Sequence, residues 1–169
     1  MKSKYTQIVA MQMQSILDRL MKALGDAFLD GEIRQPTRIW ITIKKEDICS
    51  VVKVLKDDFG IYRLVMITGL ETPYHFELLY HFERQNELQL TELITIKIQV
   101  SREDPSVESL VNIMPSALIY EAELRDHLGI EPKGHPTHTK QIVGGKTSLT
   151  GYPLQKRDPT AKLRETEEN

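Results

Sequence analysis

Asp126, His127, His135 and His138 fall within thirteen positions, and side chains of these types bind divalent metals. The pair His135-x-x-His138 supplies suitable ligands, and a metal-dependent enzyme could be built on His127, His135 and His138. The set as a whole, however, fits none of the compact zinc spacings, and no cysteine joins it. His75 and His81 fall in strand-like stretches, where a half-buried imidazole needs no metal.

Three other patterns can be set beside it. Gly144-Gly145-Lys146-Thr147-Ser148 looks like the end of a phosphate-binding loop. That motif requires glycine five residues before Gly145, where this chain has Lys140, and a strand ahead of it, so a polar turn is the better reading. Glu121, Glu123 and Asp126 could form a carboxylate pair for acid–base work if they met in a cleft. Helical spacing sets them on the flanks of an apolar stripe of Tyr120, Leu124 and Leu128, with Glu121 four residues before Arg125. There they could be solvated, or could meet a partner's basic groups or amides. Finally, residues 132–157 carry Lys133, Lys140, Lys146, Lys156 and Arg157 with no Asp or Glu. Such an arm could track phosphates, but its charge density is low and Tyr152 is its only aromatic residue.

The elements around these residues can be read from periodicity. Ile8, Met11, Ile16, Leu20, Leu24 and Phe28 predict an amphipathic helix over 7–29. Ile39, Ile41 and Ile43 alternate as in a strand, and a second helix runs from Lys45 to Phe59 with Gly60 past its end. Three strand patterns follow: IYRLVMITGLE, YHFELLYHFE and LTELITIKIQV, the last two joined by a polar turn. VESLVNI reads as a short helix, and Ser116 can cap a further helix that stops at Gly129. The order α-β-α-β-β-β-α-α predicts an α+β fold with a mixed or mostly antiparallel sheet of about four strands and helices packed on it. From Glu131 the pattern changes: Pro132, Pro136, Pro153 and Pro159 punctuate a stretch poor in apolar residues. The expected organisation is an α/β domain over 1–130 and an extended partner-binding arm over 131–169.

Composition supports a folded body. Of the 169 residues, 40% are hydrophobic and 27% charged, and a net charge of −2 argues against wholesale attraction to nucleic acid or anionic lipid. A lone cysteine, Cys49, excludes an internal disulfide and a four-thiolate iron–sulfur site, and points to a reducing compartment. No apolar run approaches the roughly 18–20 residues that span a bilayer. Gln12, Gln14, Asp18 and Arg19 interrupt any signal-peptide core near the start.

The segment YEAELRDHLGI followed by KGHP resembles the signature of the 30-kDa-type subunit of respiratory complex I and its relatives in membrane-bound [NiFe] hydrogenases. Glu121, Glu123, Asp126, Gly129 and Ile130 match the family's acidic helix, and Gly134, His135 and Pro136 match its turn. Gly151, Pro153, Leu154 and Lys156 match a later G-x-P-L-x-K segment that also contains Tyr152. The resemblance covers roughly residues 45–159. Ala122 stands where the family has Arg and Leu128 where it has Phe, while HPTHTK and PLQKRDP depart from the usual arginine-bearing stretches.

The resemblance implies a chain with no catalytic, cofactor-binding or metal-binding residue of its own. It implies a structural subunit in the cytoplasmic arm of an ion-translocating oxidoreductase, peripheral to the cell membrane and held there through the complex. The departures favour a hydrogenase-type complex, with the equivalent subunit of an NADH:quinone or sulfur-reducing complex as the alternative. Partners would be a hydrogenase-like large subunit and iron–sulfur subunits; iron–sulfur clusters, with or without a [NiFe] centre, would lie in those partners. The matched residues and Tyr152 are then expected at the partner interface. A metal-dependent enzyme and a nucleic-acid-binding module are the more distant alternatives.

Overall fold

A computed structural model describes residues 2–85, 91–137 and 152–156, with side chains from residue 8 onward. Helix α1 (Lys2–Leu24) leads through a short 3-10 turn (Gly25–Ala27) into strand β1 (Phe28–Gln35) and then β2 (Arg38–Ile43). Helix α2 (Ile48–Phe59) follows, then three strands: β3 (Arg63–Glu71), β4 (His75–Gln85) and β5 (Thr91–Ser101). Two short strands, β6 (Ser106–Glu108) and β7 (Glu131–Lys133), flank helix α3 (Ala117–Leu128).

The main sheet has five strands in the order β1-β2-β5-β4-β3. β2 and β5 run parallel and all other neighbours antiparallel, so the α+β architecture with a mixed sheet is observed. Alternation sets its faces. Ile39 and Ile41 of β2 align with Ile94 and Ile96 of β5, and through them with Phe82 and Tyr80 of β4. This face joins Met13 and Leu20 of α1, Val51, Val52 and Leu55 of α2, and Leu124 and Leu128 of α3 in one buried cluster. Burying each such side chain contributes on the order of 1.5–3 kcal/mol. The other face carries Trp40, Thr95 and His81, where His81 meets the Thr95 hydroxyl at 3.1 Å and burial pulls its imidazole pKa down.

Two expectations are corrected. The predicted first helix ends early, and Phe28–Gln35 is a strand at the sheet edge whose exposed, bulged pattern gives no clean alternation. VESLVNI is not a helix: Ser106–Glu108 pairs in parallel with Glu131–Lys133, and the following turn is held by a side chain of α3. Residues 131–133 are therefore a paired strand, the first three residues of the expected arm.

α3 is held down by shape as well as by apolar area. A β-carbon on Gly69 of β3 would stand 2.8 Å from Leu124 Cδ2 and closer still to Leu128. Glycine at that position lets helix and strand approach.

Candidate docking surface

Helix α3 carries all three acidic residues singled out above, and it buries two of them. Glu121 and Asp126 are fully buried and Arg125 nearly so, while Ile119 is 62% exposed. The flank carboxylates expected to be solvated or to meet a partner are, at positions 121 and 126, enclosed by the chain itself. Packing explains it: the 109–110 turn and residues 135–137 lie over the helix and supply polar partners.

Glu121 accepts from the Ser109 hydroxyl at 2.6 Å and from the Leu110 amide at 2.7 Å. Ser109 is tied in turn to the Lys133 carbonyl through its amide at 2.9 Å. Burial raises the Glu121 pKa, opposed by those two hydrogen bonds and by His135 nearby. The fully buried Tyr80 hydroxyl is pushed far above its usual range by burial, then by the neighbouring Glu121 and Cys49. The Cys49 thiol is raised chiefly by burial, with Glu108 adding to it, which disfavours the reactive thiolate. The expected Glu121–Arg125 pair is replaced. The Arg125 guanidinium donates to the Thr137 carbonyl, and its Nε lies 3.5 Å from Asp126 Oδ1.

His135 is 1% exposed. Its Nε2 lies 3.0 Å from the Leu118 carbonyl and its Nδ1 3.0 Å from the Thr137 hydroxyl, so both ring nitrogens are engaged within the chain. Gly134, at φ +83°, lets the chain turn after β7. Gly134 and Pro136 are exposed, and Ile130 is fully buried. Among the described residues no three His, Cys, Asp or Glu side chains converge on a metal-sized site. His138, Gly151 and the GGKTS segment lie outside the described residues.

Residues 152–156 return to the same helix. Gly129 ends α3 in the left-handed region at φ +71°, and a β-carbon there would stand 2.5 Å from the Tyr152 ring. The Leu154 amide donates to the His127 carbonyl at 3.0 Å, and Gln155 Nε2 donates to the Leu128 carbonyl at 2.7 Å. The Lys156 amide donates to the Glu71 carboxylate, which also pairs with Arg102.

Of the residues expected at an interface, Glu123 is half-buried on α3, and Tyr152, Pro153, Leu154 and Lys156 are exposed. Leu118 and Ile119, exposed on the same helix, were not anticipated. They lie off the stripe of Tyr120, Leu124 and Leu128, which packs on the core. Glu71 and Arg102 were also missed, because the Lys156 amide that Glu71 holds lies 85 positions away in sequence and Arg102 acts through Glu71.

The chain belongs to the respiratory-chain NADH dehydrogenase 30 Kd subunit family, whose sequence profile matches residues 41–164. It is 30% identical to the C subunit of the NADH-quinone oxidoreductase of Roseiflexus castenholzii over 89% of this chain and 86% of that protein. It is 27% identical to the C subunit of the F(420)H(2) dehydrogenase of Methanosarcina mazei over 86% of this chain and 91% of that protein. Among solved structures, a chain of an archaeal membrane-bound sulfane sulfur reductase superposes with a TM-score of 0.77 at 19% identity, covering 94% of this chain and 92% of that one. A trypsin-resistant fragment of Nqo5 superposes at 0.61 and 21% identity, covering 75% of this chain and 98% of the fragment. Among the described residues no helix is long and apolar enough to cross a membrane.

Proposed function

We propose that the chain is a non-catalytic structural subunit of an ion-translocating, complex I-like oxidoreductase of hydrogenase type, bound on the cytoplasmic side of the membrane. It docks on a large subunit resembling the [NiFe] hydrogenase large chain and on iron–sulfur subunits, whose clusters carry the electrons. It holds no cofactor, and it meets the membrane only through the complex. The observation that carries this reading is the polarity of α3: the helix with the family's motif keeps Glu121 and Asp126 inside and presents Ile119 outside. Charges that close the chain's own turns are structural, and Leu118, Ile119, Tyr152 and Leu154, exposed on α3 and on the segment bonded to its end, together favour a protein neighbour.

Deleting the chain tests the reading. The large and iron–sulfur subunits should then fail to assemble into a membrane-bound particle, and the purified chain alone should show no redox activity. Normal assembly without the chain contradicts a scaffold role.

A second reading keeps the role and changes the complex. The relatives above at 30% and 27% identity belong to NADH-quinone and F(420)H(2) dehydrogenases, which favours a dehydrogenase; a sulfur-reducing complex is a further variant. Supplying the purified complex with hydrogen, NADH, reduced F(420) or sulfur in turn separates these versions.

A further inference from the structure

We infer that the docking face is a single row along α3 and the segment beside it, apolar at both ends with one carboxylate between. Its partner is a protein surface with apolar side chains around one Lys or Arg. The inference rests on the subunit reading above and says which face is used and what chemistry meets it.

Ile119, Glu123 and His127 are spaced four apart and so line one side of the helix. Ile119 is 62% exposed, and Glu123 and His127 are half-buried. The row continues past the end of the helix, because the Leu154 amide bonds the His127 carbonyl and Leu154 is 60% exposed. Both ends are fixed by the chain itself. His135 holds the Leu118 carbonyl beside Ile119, and Gln155 holds the Leu128 carbonyl beside Leu154. Anchors on a preorganised backbone lose less entropy when they dock.

Charge names the partner's chemistry. On this helix Glu121 and Asp126 are buried, leaving Glu123 as the acid within reach of a neighbour. Glu123 makes no hydrogen bond or ion pair among the described residues. A carboxylate between two exposed aliphatic side chains is desolvated once they are covered, which favours a covering surface that brings a cation. Neither a second copy offering the same acidic row nor an anionic lipid surface supplies it.

The intact complex, recovered through a tag on this chain, provides the test. A photoreactive benzoyl-phenylalanine at position 119 should cross-link to one peptide of a different subunit, apolar and containing Lys or Arg. A cross-link to another copy of this chain, to lipid, or to nothing overturns the inference. Ile119→Asp, Leu154→Asp and Glu123→Lys should each lower recovery of the partner at least tenfold, while each purified variant melts like the parent chain. Glu123→Gln should lower it less and flatten its salt dependence. If the parent chain brings down its partners and the Asp and Lys variants do so equally, this surface is wrong and the subunit reading stands. If the parent chain is recovered alone, the subunit reading fails and takes the surface with it.

Discussion

Glu121 on α3 accepts a 2.7 Å hydrogen bond from the Leu110 amide, so a carboxylate of the family motif closes a turn of its own chain. That turn follows β6, and β6 pairs with β7, so one buried acid links the elements on either side of the helix. Removing it should be costly. Glu121→Ala leaves the Leu110 amide and the Ser109 hydroxyl buried without their acceptor, at about 1–3 kcal/mol for each group. Denaturant midpoints of parent and variant measure the loss, and equal midpoints would place the two groups in water.

The same residue sets a pH dependence. Burial raises its pKa above the ordinary glutamate value of about 4.5, despite the Ser109 and Leu110 donors and His135. The folded chain therefore holds the Glu121 proton to higher pH than the unfolded chain does. Its contribution to stability is fully present below the unfolded value and is lost as pH rises through the folded one. Glu121→Gln keeps the shape, accepting from Leu110 and donating to the Ser109 oxygen, and removes the titration. Thermal denaturation from pH 4 to 8 should show a shallower fall in stability with rising pH for the variant. Identical slopes would mean that Glu121 titrates alike in both states.

Tyr152 covers Gly129 so closely that any side chain there displaces the ring, and the left-handed backbone at φ +71° adds its own cost. Gly129→Ala should destabilise by about 1–2 kcal/mol from the backbone alone, with a further loss from the displaced ring. The double variant with Tyr152→Ala separates the two. The Gly129→Ala penalty should be smaller in the Tyr152→Ala background, and equal penalties would show that the ring does not rest on Gly129.

Glu71 is the anchor of residues 152–156 furthest away in sequence. Its carboxylate holds the Lys156 amide and pairs with Arg102. Glu71→Gln should speed exchange of the Lys156 amide about tenfold, the equivalent of one charge-assisted bond. It should leave the β4 and β5 amides unchanged. Unaltered Lys156 exchange would show that Gln155 and Leu154 suffice to hold the segment.

What the sequence disclosed follows the range of the forces. The strand pattern of Ile39, Ile41 and Ile43, and the helix ending at Gly60, are written in nearest-neighbour periodicity, and both formed as expected. The edge strand Phe28–Gln35 escaped because a strand exposed and bulged at the rim has little alternation to display. α3 was placed correctly and its stripe of Tyr120, Leu124 and Leu128 packs on the core, but the burial of Glu121 and Asp126 on its flanks was not read. Four- and three-residue spacing shows which side chains share a face. Which flank residues are enclosed is decided by Ser109, Leu110 and Thr137, which reach the helix from outside it. The family motif was legible for the same reason that its geometry was not: residue identities are local, and their partners are distant.

If this chain exists to join other proteins, it should never be found by itself. The most direct measurement is the native mass of the species carrying it, isolated from gently solubilised membranes and resolved into its components. A hetero-complex is expected, with this chain, a large subunit and iron–sulfur subunits in equal copies. Recovery at the 19.5 kDa of the chain alone, or as multiples of that mass, would contradict it.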